Sequence, residues 1–235
     1  MTRKHTLLEK EHTMQKFDTP APVSAVLDIP AGAVRFIAAD RADTTVEILP
    51  ADPSRGRDVK AADQVQVTCR DGVLRIEAPE AKNRMLGHSG AVEVTVQLPA
   101  GSRVEGKLAG GELRGVGRLG DLVFEAAHGT VRVDEAASAR LTLAAGDVCV
   151  GRLGGPAEIS TQKGDLSITE AAGGTVTLRT EHGDITVGAA RGVSASLDAG
   201  TAYGRVSNAL RNTDGTAALT IHATTAYGDI TARSL

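Results

Sequence analysis

A glycine-led phrase recurs through the C-terminal half of the chain at intervals of 17 to 24 residues. Its clearest copies are GDLSITEAAGGTVTLRTEH and GDITVGAARGVSASLDAGTAY. Self-similarity at such intervals is typical of repeat proteins, in which one unit cannot bury its apolar face alone. The marking glycines are Gly111, Gly129, Gly146, Gly164, Gly183, Gly204 and Gly228, and we predict structural turns at all of them after the first.

Each repeat contains two short alternating runs, which predict two strands. Leu166 and Ile168 are followed ten residues later by Val176 and Leu178. Because every second side chain of a strand points to the same face, these four residues are predicted to point inward. Stacking would pair each strand with its equivalent in the next repeat and join the inward residues into one core. Helical periodicity is absent from the repeats, so we expect turns between the strands.

This pattern predicts an all-β fold. An N-terminal antiparallel β region leads into a parallel β-solenoid, or β-roll, with coils of about 17–24 residues. An antiparallel meander folded into a sandwich is the alternative architecture that the same strands permit. Residues 1–16 are predicted to be a polar, disordered tail, 17–106 the antiparallel region, and 107–235 the solenoid, continuous with the region before it.

The antiparallel region carries recognisable turn and loop signals. The alternating strands VSAVLDIPAG and VEVTVQLPAG both end in Pro-Ala-Gly, which predicts turns at 30–32 and 99–101. The Pro, Gly and charge content of 51–58 and 79–90 predicts loops.

Asp71-Gly72 predicts a type I′ hairpin between two alternating runs. A two-residue loop there would pair Cys69 with Leu74 and would place the apolar side chains on one face. The same register pairs Val67 with Ile76.

Composition narrows the possible functions. The 26 basic and 29 acidic residues give a formal charge of −3 without a basic block, so the electrostatic footprint of nucleic-acid binding is absent. Aromatic residues make up 2 % of the chain, with no Trp, which leaves few platforms for stacking sugars or bases. No run approaches the roughly 18 apolar residues of a membrane span. With no continuous apolar stretch near the N-terminus, we expect a soluble cytoplasmic protein.

The two cysteines match no metal or redox spacing. Cys69 is in register with Val65 and Val67, so we expect a thiol on the buried face of a strand. A disulfide between Cys69 and Cys149 stays open at this point.

The order of these parts resembles a known family. A strand of the form F-x-x-x-x-x-V…LDIPAG-x-V, an Asp-Gly hairpin, a VQLPAG strand and tandem G-[DTR]-[VIL]-x-[VI] coils are similar to a bacterial β-strand-repeat family of unknown function that is often labelled "putative adhesin". The resemblance covers Phe17 to the C-terminus. It implies a β-solenoid-like domain and no established catalytic residues, so it assigns no active site.

Stacked coils would turn equivalent positions into rows. Asp147, Asp165 and Asp184 follow successive glycines and would form a row of carboxylates, a candidate cation ladder for a hard ion such as calcium. The interpretation that we favour is that each Asp caps a turn by accepting backbone N–H bonds, because the calcium-binding nonapeptide pattern is missing. We therefore predict no metal and no cofactor.

Residues that precede the glycines form a second row. His128 and His182 are three coils apart, too far to share one metal ion. Tyr203 and Tyr227 precede successive glycines along the sequence and could stack on each other.

Two functions remain after this reading. No Ser-His-Asp, His-Glu-x-x-His or phosphate-loop spacing is present, so we predict a non-enzymatic structural or interaction protein. A carbohydrate-active β-helix enzyme using the paired carboxylates Asp165 and Asp184 is the alternative. The final TAYGDITARSL supplies half a coil without a cap. We expect self-association, or docking of a protein partner, at this edge through Tyr227 and Ile230.

Overall fold

The computed structural model describes residues 14–79, 90–212 and 215–235. This part of the chain is all-β except for one helix, and its strands form one long mixed sheet. The elements are β1 (Gln15–Asp18), β2 (Ser24–Ala39), β3 (Asp43–Pro50), α1 (Gly56–Gln64), β4 (Gln66–Arg70), β5 (Val73–Glu77), β6 (Val92–Pro99), β7 (Arg103–Ala145), β8 (Val148–Leu153), β9 (Ala157–Lys163), β10 (Leu166–Ala171), β11 (Gly174–His182), β12 (Ile185–Ala189), β13 (Ala195–Tyr203), β14 (Val206–Ala209), β15 (Leu219–Tyr227) and β16 (Ile230–Ser234).

The repeats stack through parallel strand pairs on two sides. On one side β7, β8, β10 and β12 follow one another, and on the other side β7, β9 and β11 do so. Inward residues of successive repeats face each other, as in the column Val131, Val148, Leu166 and Ile185, each at most 1 % exposed. The prediction of two inward-alternating strands per repeat is confirmed for these repeats.

Strand β2 corrects the prediction of an antiparallel N-terminal region. β2 is parallel to β5, β6 and β7, whereas β1–β3, β3–β6 and β4–β5 are the antiparallel pairs. β2 continues through the turn predicted at 30–32 and bends at Gly32, so both of its halves pair with β7. It is therefore a member of the stack. The boundary predicted at residue 106 falls inside β7, while the turn at 99–101 is present.

The Asp-Gly hairpin is confirmed. β4 and β5 pair with Cys69 opposite Leu74, and the loop residues Asp71 and Gly72 have φ of 51° and 75°. Cys69 is half-buried beside the core, and burial raises the pKa of its thiol. Cys149 is exposed and both thiols are free, so the disulfide that the sequence left open does not form.

The loop predicted at 51–58 is wrong in its second half, because α1 begins at Gly56. The buried carboxylate of Asp58 anchors this helix by accepting a hydrogen bond from the Ala91 N–H at 3.0 Å. Most of the loop predicted at 79–90, and residues 1–13 of the predicted tail, lie outside the described residues. The last residues of that tail enter β1.

The order of strands at the far end of the stack differs from their order along the chain. β16 lies between β12 and β14, and β15 lies between β11 and β13. The prediction that Ile230 lies in an uncovered strand is therefore wrong: β16 has a neighbour on each side, and Ile230 is 1 % exposed. β13 and β14 precede β15 and β16 in the sequence, but β15 and β16 lie between them and the preceding repeat.

Candidate functional site

Closely packed backbones hold the corner of the stack. The glycines predicted to form turns stand in one column, and Gly32 and Gly111 extend it toward the N-terminal end. A Cβ on Gly146 would overlap the carbonyl oxygen of Gly129, and its φ of 142° is one that only glycine adopts readily. Spatially, Gly228 stands on Gly183, and Gly204 stands on Gly228.

The predicted carboxylate row is present and is joined by hydrogen bonds. The Asp165 N–H donates to Asp147 Oδ1 at 2.9 Å, and the Asp184 N–H donates to Asp165 Oδ1 at 2.8 Å. Two more links continue the row, from the Asp229 N–H to Asp184 and from the Arg205 N–H to Asp229, both at 2.8 Å. Each carboxylate thus caps the turn of the next repeat. In the part of the chain that the structure describes, no group of three or more His, Cys, Asp or Glu side chains could hold a metal ion.

Three rings stack at the open end of the molecule. Tyr227 lies between His182 and Tyr203, with ring centroids 4.8 Å apart in both pairs and interplanar angles of 7° and 4°. The predicted Tyr203–Tyr227 stack is confirmed. The sequence did not reveal that His182 joins it, because the returning repeat brings Tyr227 next to His182. Tyr203 ends the stack and is 67 % exposed.

The strands that end the stack are β13 and β14, and each pairs with one strand among the described residues. The Ile230 N–H donates to the Arg205 carbonyl oxygen at 2.9 Å. Because alternate residues of a parallel ladder bond to opposite neighbours, the backbone polar groups of Val206 and Asn208 point away from β16. Val206 is 46 % exposed. We call β13 and β14 together the open edge.

The core becomes smaller and more polar toward the open edge. Val187 and Ala232 occupy one inward column, and the next residue in that column is the exposed Asn208. Asn208 Oδ1 accepts a hydrogen bond from the Leu210 N–H at 3.0 Å. A polar residue therefore ends a column that is apolar in the two repeats before it.

The carboxylates proposed for catalysis, Asp165 and Asp184, are both exposed on the outer surface. One oxygen of each is already an acceptor in the row of turn-capping bonds.

The two residues that we predicted to form an interaction edge differ in exposure. The Tyr227 ring is half-exposed, whereas Ile230 is buried. No helix among the described residues has the length and apolar character needed to cross a bilayer.

This architecture defines a class of protein, a stacked β-repeat domain with one end covered by extra strands and the other end open. The chain belongs to the Toastrack DUF4097 family, whose model matches residues 26–234. The family that the repeats and turns resemble is thereby confirmed. A comparison with curated proteins gives no match.

Solved structures of several bacterial proteins are similar to this chain. A "putative cell adhesion protein" from Clostridium sporogenes is 10 % identical, with 95 % of this chain and 99 % of that chain covered and a TM-score of 0.40. A "putative adhesin" from Bacteroides fragilis is 12 % identical, with coverage of 94 % and 96 % and a TM-score of 0.41. A "putative lipid binding protein" from Parabacteroides distasonis is 14 % identical, with coverage of 93 % and 96 % and a TM-score of 0.49.

Proposed function

We propose that this chain is a non-enzymatic interaction domain, a β-solenoid with coils of about 17–24 residues that self-associates through its open edge. The observation that carries the proposal is the outward direction of the unused backbone groups of β14. Free N–H and C=O groups on an edge strand are a template for another strand. We therefore assign the interaction to β13 and β14, which end the stack, and not to the C-terminal repeat for which the sequence predicted it.

A second copy of the chain is the partner that this edge fits. The edge carries exposed side chains of both signs, Asp198 and Arg205, which a copy related by a two-fold axis can pair in reverse. Its half-exposed Val206 and the partly buried Leu197 offer apolar area at the centre. Strand pairing between copies would cover these side chains and satisfy the free backbone groups together.

The carbohydrate-active enzyme reading gains no support from the residues on which it depended. Asp165 and Asp184 act as turn caps between repeats, and each accepts a backbone N–H through Oδ1. The capping role explains the spacing of both carboxylates. The same type of bond forms between the Arg205 N–H and Asp229 Oδ1, although Arg205 carries no carboxylate of its own.

Light scattering of the full chain over a concentration series tests self-association. We expect the mean mass to rise with concentration for the unchanged protein and to stay at the monomer value for Val206→Lys, because a charge on an edge strand opposes pairing. Thr231→Lys is the matched control, since it adds the same charge on the neighbouring strand β16, which is already paired on both sides.

Two results would contradict the proposal. One is a strict monomer at the highest concentration reached by the unchanged chain. The other is association that Val206→Lys and Thr231→Lys weaken equally, because a general effect of charge would then explain the loss.

A further inference from the structure

Three arginines form a row across one outer face, near the covered end of the stack. Arg35 of β2 is in register with Arg114 of β7, and Arg132 occupies the same position in the next repeat. Each stands three residues after a glycine of the corner column, and neighbouring strands lie about 4.8 Å apart. All three side chains are exposed. We call them the arginine row.

The arginine row is electrostatically unfavourable in the isolated chain. Like charges directly opposite each other on neighbouring strands destabilise a sheet. Arg114 is relieved by an ion pair, with its Nη2 2.8 Å from Asp134 Oδ1. Among the described residues, the side chains of Arg35 and Arg132 form no ion pair and no hydrogen bond. Two guanidinium groups therefore keep all of their donors available to a ligand.

The row lines a shallow depression of about 400 Å³. Glu112 and Thr130 border it on the side of the glycine column, and Ile37 and Val116 border it on the other side. Guanidinium groups bind carboxylates through two parallel hydrogen bonds, which gives both strength and orientation. Glu112 and the hydroxyl of Thr130 supply groups that can bind uncharged hydroxyls beside each carboxylate.

We propose that the arginine row binds a linear acidic polysaccharide, with carboxylates on the arginines and sugar hydroxyls on the bordering polar residues. Glu112 and Asp134 reduce the net charge of this face, which disfavours chains of very high charge density such as polyphosphate. No aromatic side chain lines the depression, so neither bases nor sugar rings can stack there, and recognition of the ligand depends on its carboxylates and hydroxyls. The site is separate from the open edge and does not depend on self-association.

Fluorescence anisotropy of a labelled galacturonate oligomer, titrated with the full chain, tests this site. We expect binding that weakens as salt is added, and about a tenfold loss of affinity for Arg35→Gln and for Arg132→Gln, because each removes a charge-assisted contact. Arg179→Gln is the matched control, since Arg179 is an exposed arginine on the other side of the stack. It should change affinity by less than about twofold.

Two further probes separate the chemistry of the ligand. The methyl-esterified oligomer, which keeps the sugar chain but lacks the charges, should bind at least about tenfold more weakly. Polyphosphate of similar length should bind more weakly than the galacturonate oligomer.

Four results would overturn the proposal. They are no binding of the oligomer, equal binding of the esterified form, stronger binding of polyphosphate, and loss of affinity in Arg179→Gln equal to that in Arg132→Gln. Circular dichroism of each variant checks that the sheet is intact, and exposed Arg to Gln changes leave the core untouched.

Discussion

The two ends of the stack differ in how their terminal strands are covered. At the N-terminal end, β2 is covered by β5 and β6, and core residues there such as Phe36 are fully buried. At the other end β13 and β14 each pair with one strand of the described chain, the Ala195 N–H of β13 donates to the Arg211 carbonyl oxygen, and Leu197 is only partly buried. A repeat that is buried on both sides is complete, whereas a terminal repeat needs additional structure or a partner.

The covered end also shows how the parallel ladder is brought to a close. β6 and β5 continue the ladder, but their outer neighbours β3 and β4 run antiparallel to them. The strands that finish this end, β1 and β4, are four and five residues long. Short strands present little edge for unwanted pairing. At the open edge β14 is also only four residues long, but β13 extends over nine.

The largest expected difference in stability is between a substitution in the middle of the glycine column and one at its open end. Gly146→Ala should lower the free energy of unfolding by about 3 kcal/mol or more, because a Cβ meets the Gly129 carbonyl oxygen and the left-handed φ is unfavourable. Gly204→Ala should cost only about 1 kcal/mol, because the terminal repeat is free to move outward. Urea unfolding followed by circular dichroism measures both. Equal losses would show that the middle of the glycine column and its open end are equally constrained.

Core truncation should separate the two ends by a similar amount. Phe36→Ala removes a fully buried ring and should cost about 3–5 kcal/mol. Leu197→Ala removes a partly buried side chain at the open edge and should cost about 1 kcal/mol in the monomer. The measurement is urea unfolding at low concentration, where association is absent. A loss for Leu197→Ala as large as that for Phe36→Ala would mean that the open edge is covered in solution.

The carboxylate row should contribute a moderate amount close to the open edge. Asp184→Ala removes the acceptor for the Asp229 N–H and should cost about 1 kcal/mol, whereas Asp184→Asn keeps an oxygen acceptor and should cost less. Thermal melts with and without millimolar calcium supply the second readout, and we expect the same melting temperature. An increase with calcium that Asp184→Asn removes would establish the cation ladder in place of the capping role.

The smallest effect should come from acid at the covered end. The Arg41 hydrogen bond, followed by that of Lys16, lowers the pKa of Asp43 from 3.8 to about 2. The stabilisation by these contacts is complete above pH 3.8 and is lost as the pH falls through about 2. Asp43→Asn should therefore be less stable than the unchanged chain at neutral pH, and this difference should shrink as the pH is lowered toward 2. Asp40→Asn is the control, and a difference for Asp43→Asn that is as large at pH 2 as at neutral pH would contradict the assignment.

Much of the repeat could be predicted because local chemistry determines it. The Asp71-Gly72 turn set its own register, and alternating apolar residues identified the inward faces. The order of the last two repeats could not be predicted in this way, because both present the same alternation and the same Tyr-Gly phrase. One signal was available: Asn208 stands at a position that is apolar in the other repeat, and the less apolar repeat takes the exposed place.

The site was predicted in its parts but not in its assembly. The turn glycines, the carboxylate row and the stacking tyrosines all follow from equivalent positions in successive repeats. The arginine row was missed because Arg35 precedes the recognised repeats by most of a domain in sequence, and only the parallel pairing of β2 with β7 brings it beside Arg114. The short helix α1 was missed because its first residues carry the Gly and charge content of a loop.

The insertion of β15 and β16 between earlier strands has a consequence for how the molecule is made. During synthesis the residues of β13 and β14 emerge before the strands that must separate them from β11 and β12. The native neighbours of β11 and β12 are therefore present only once residues 219–234 have been made. β15 and β16 therefore join the earlier repeats to β13 and β14. A ribosome-bound chain truncated before β15 would lack the strands that pair with β12, β13 and β14.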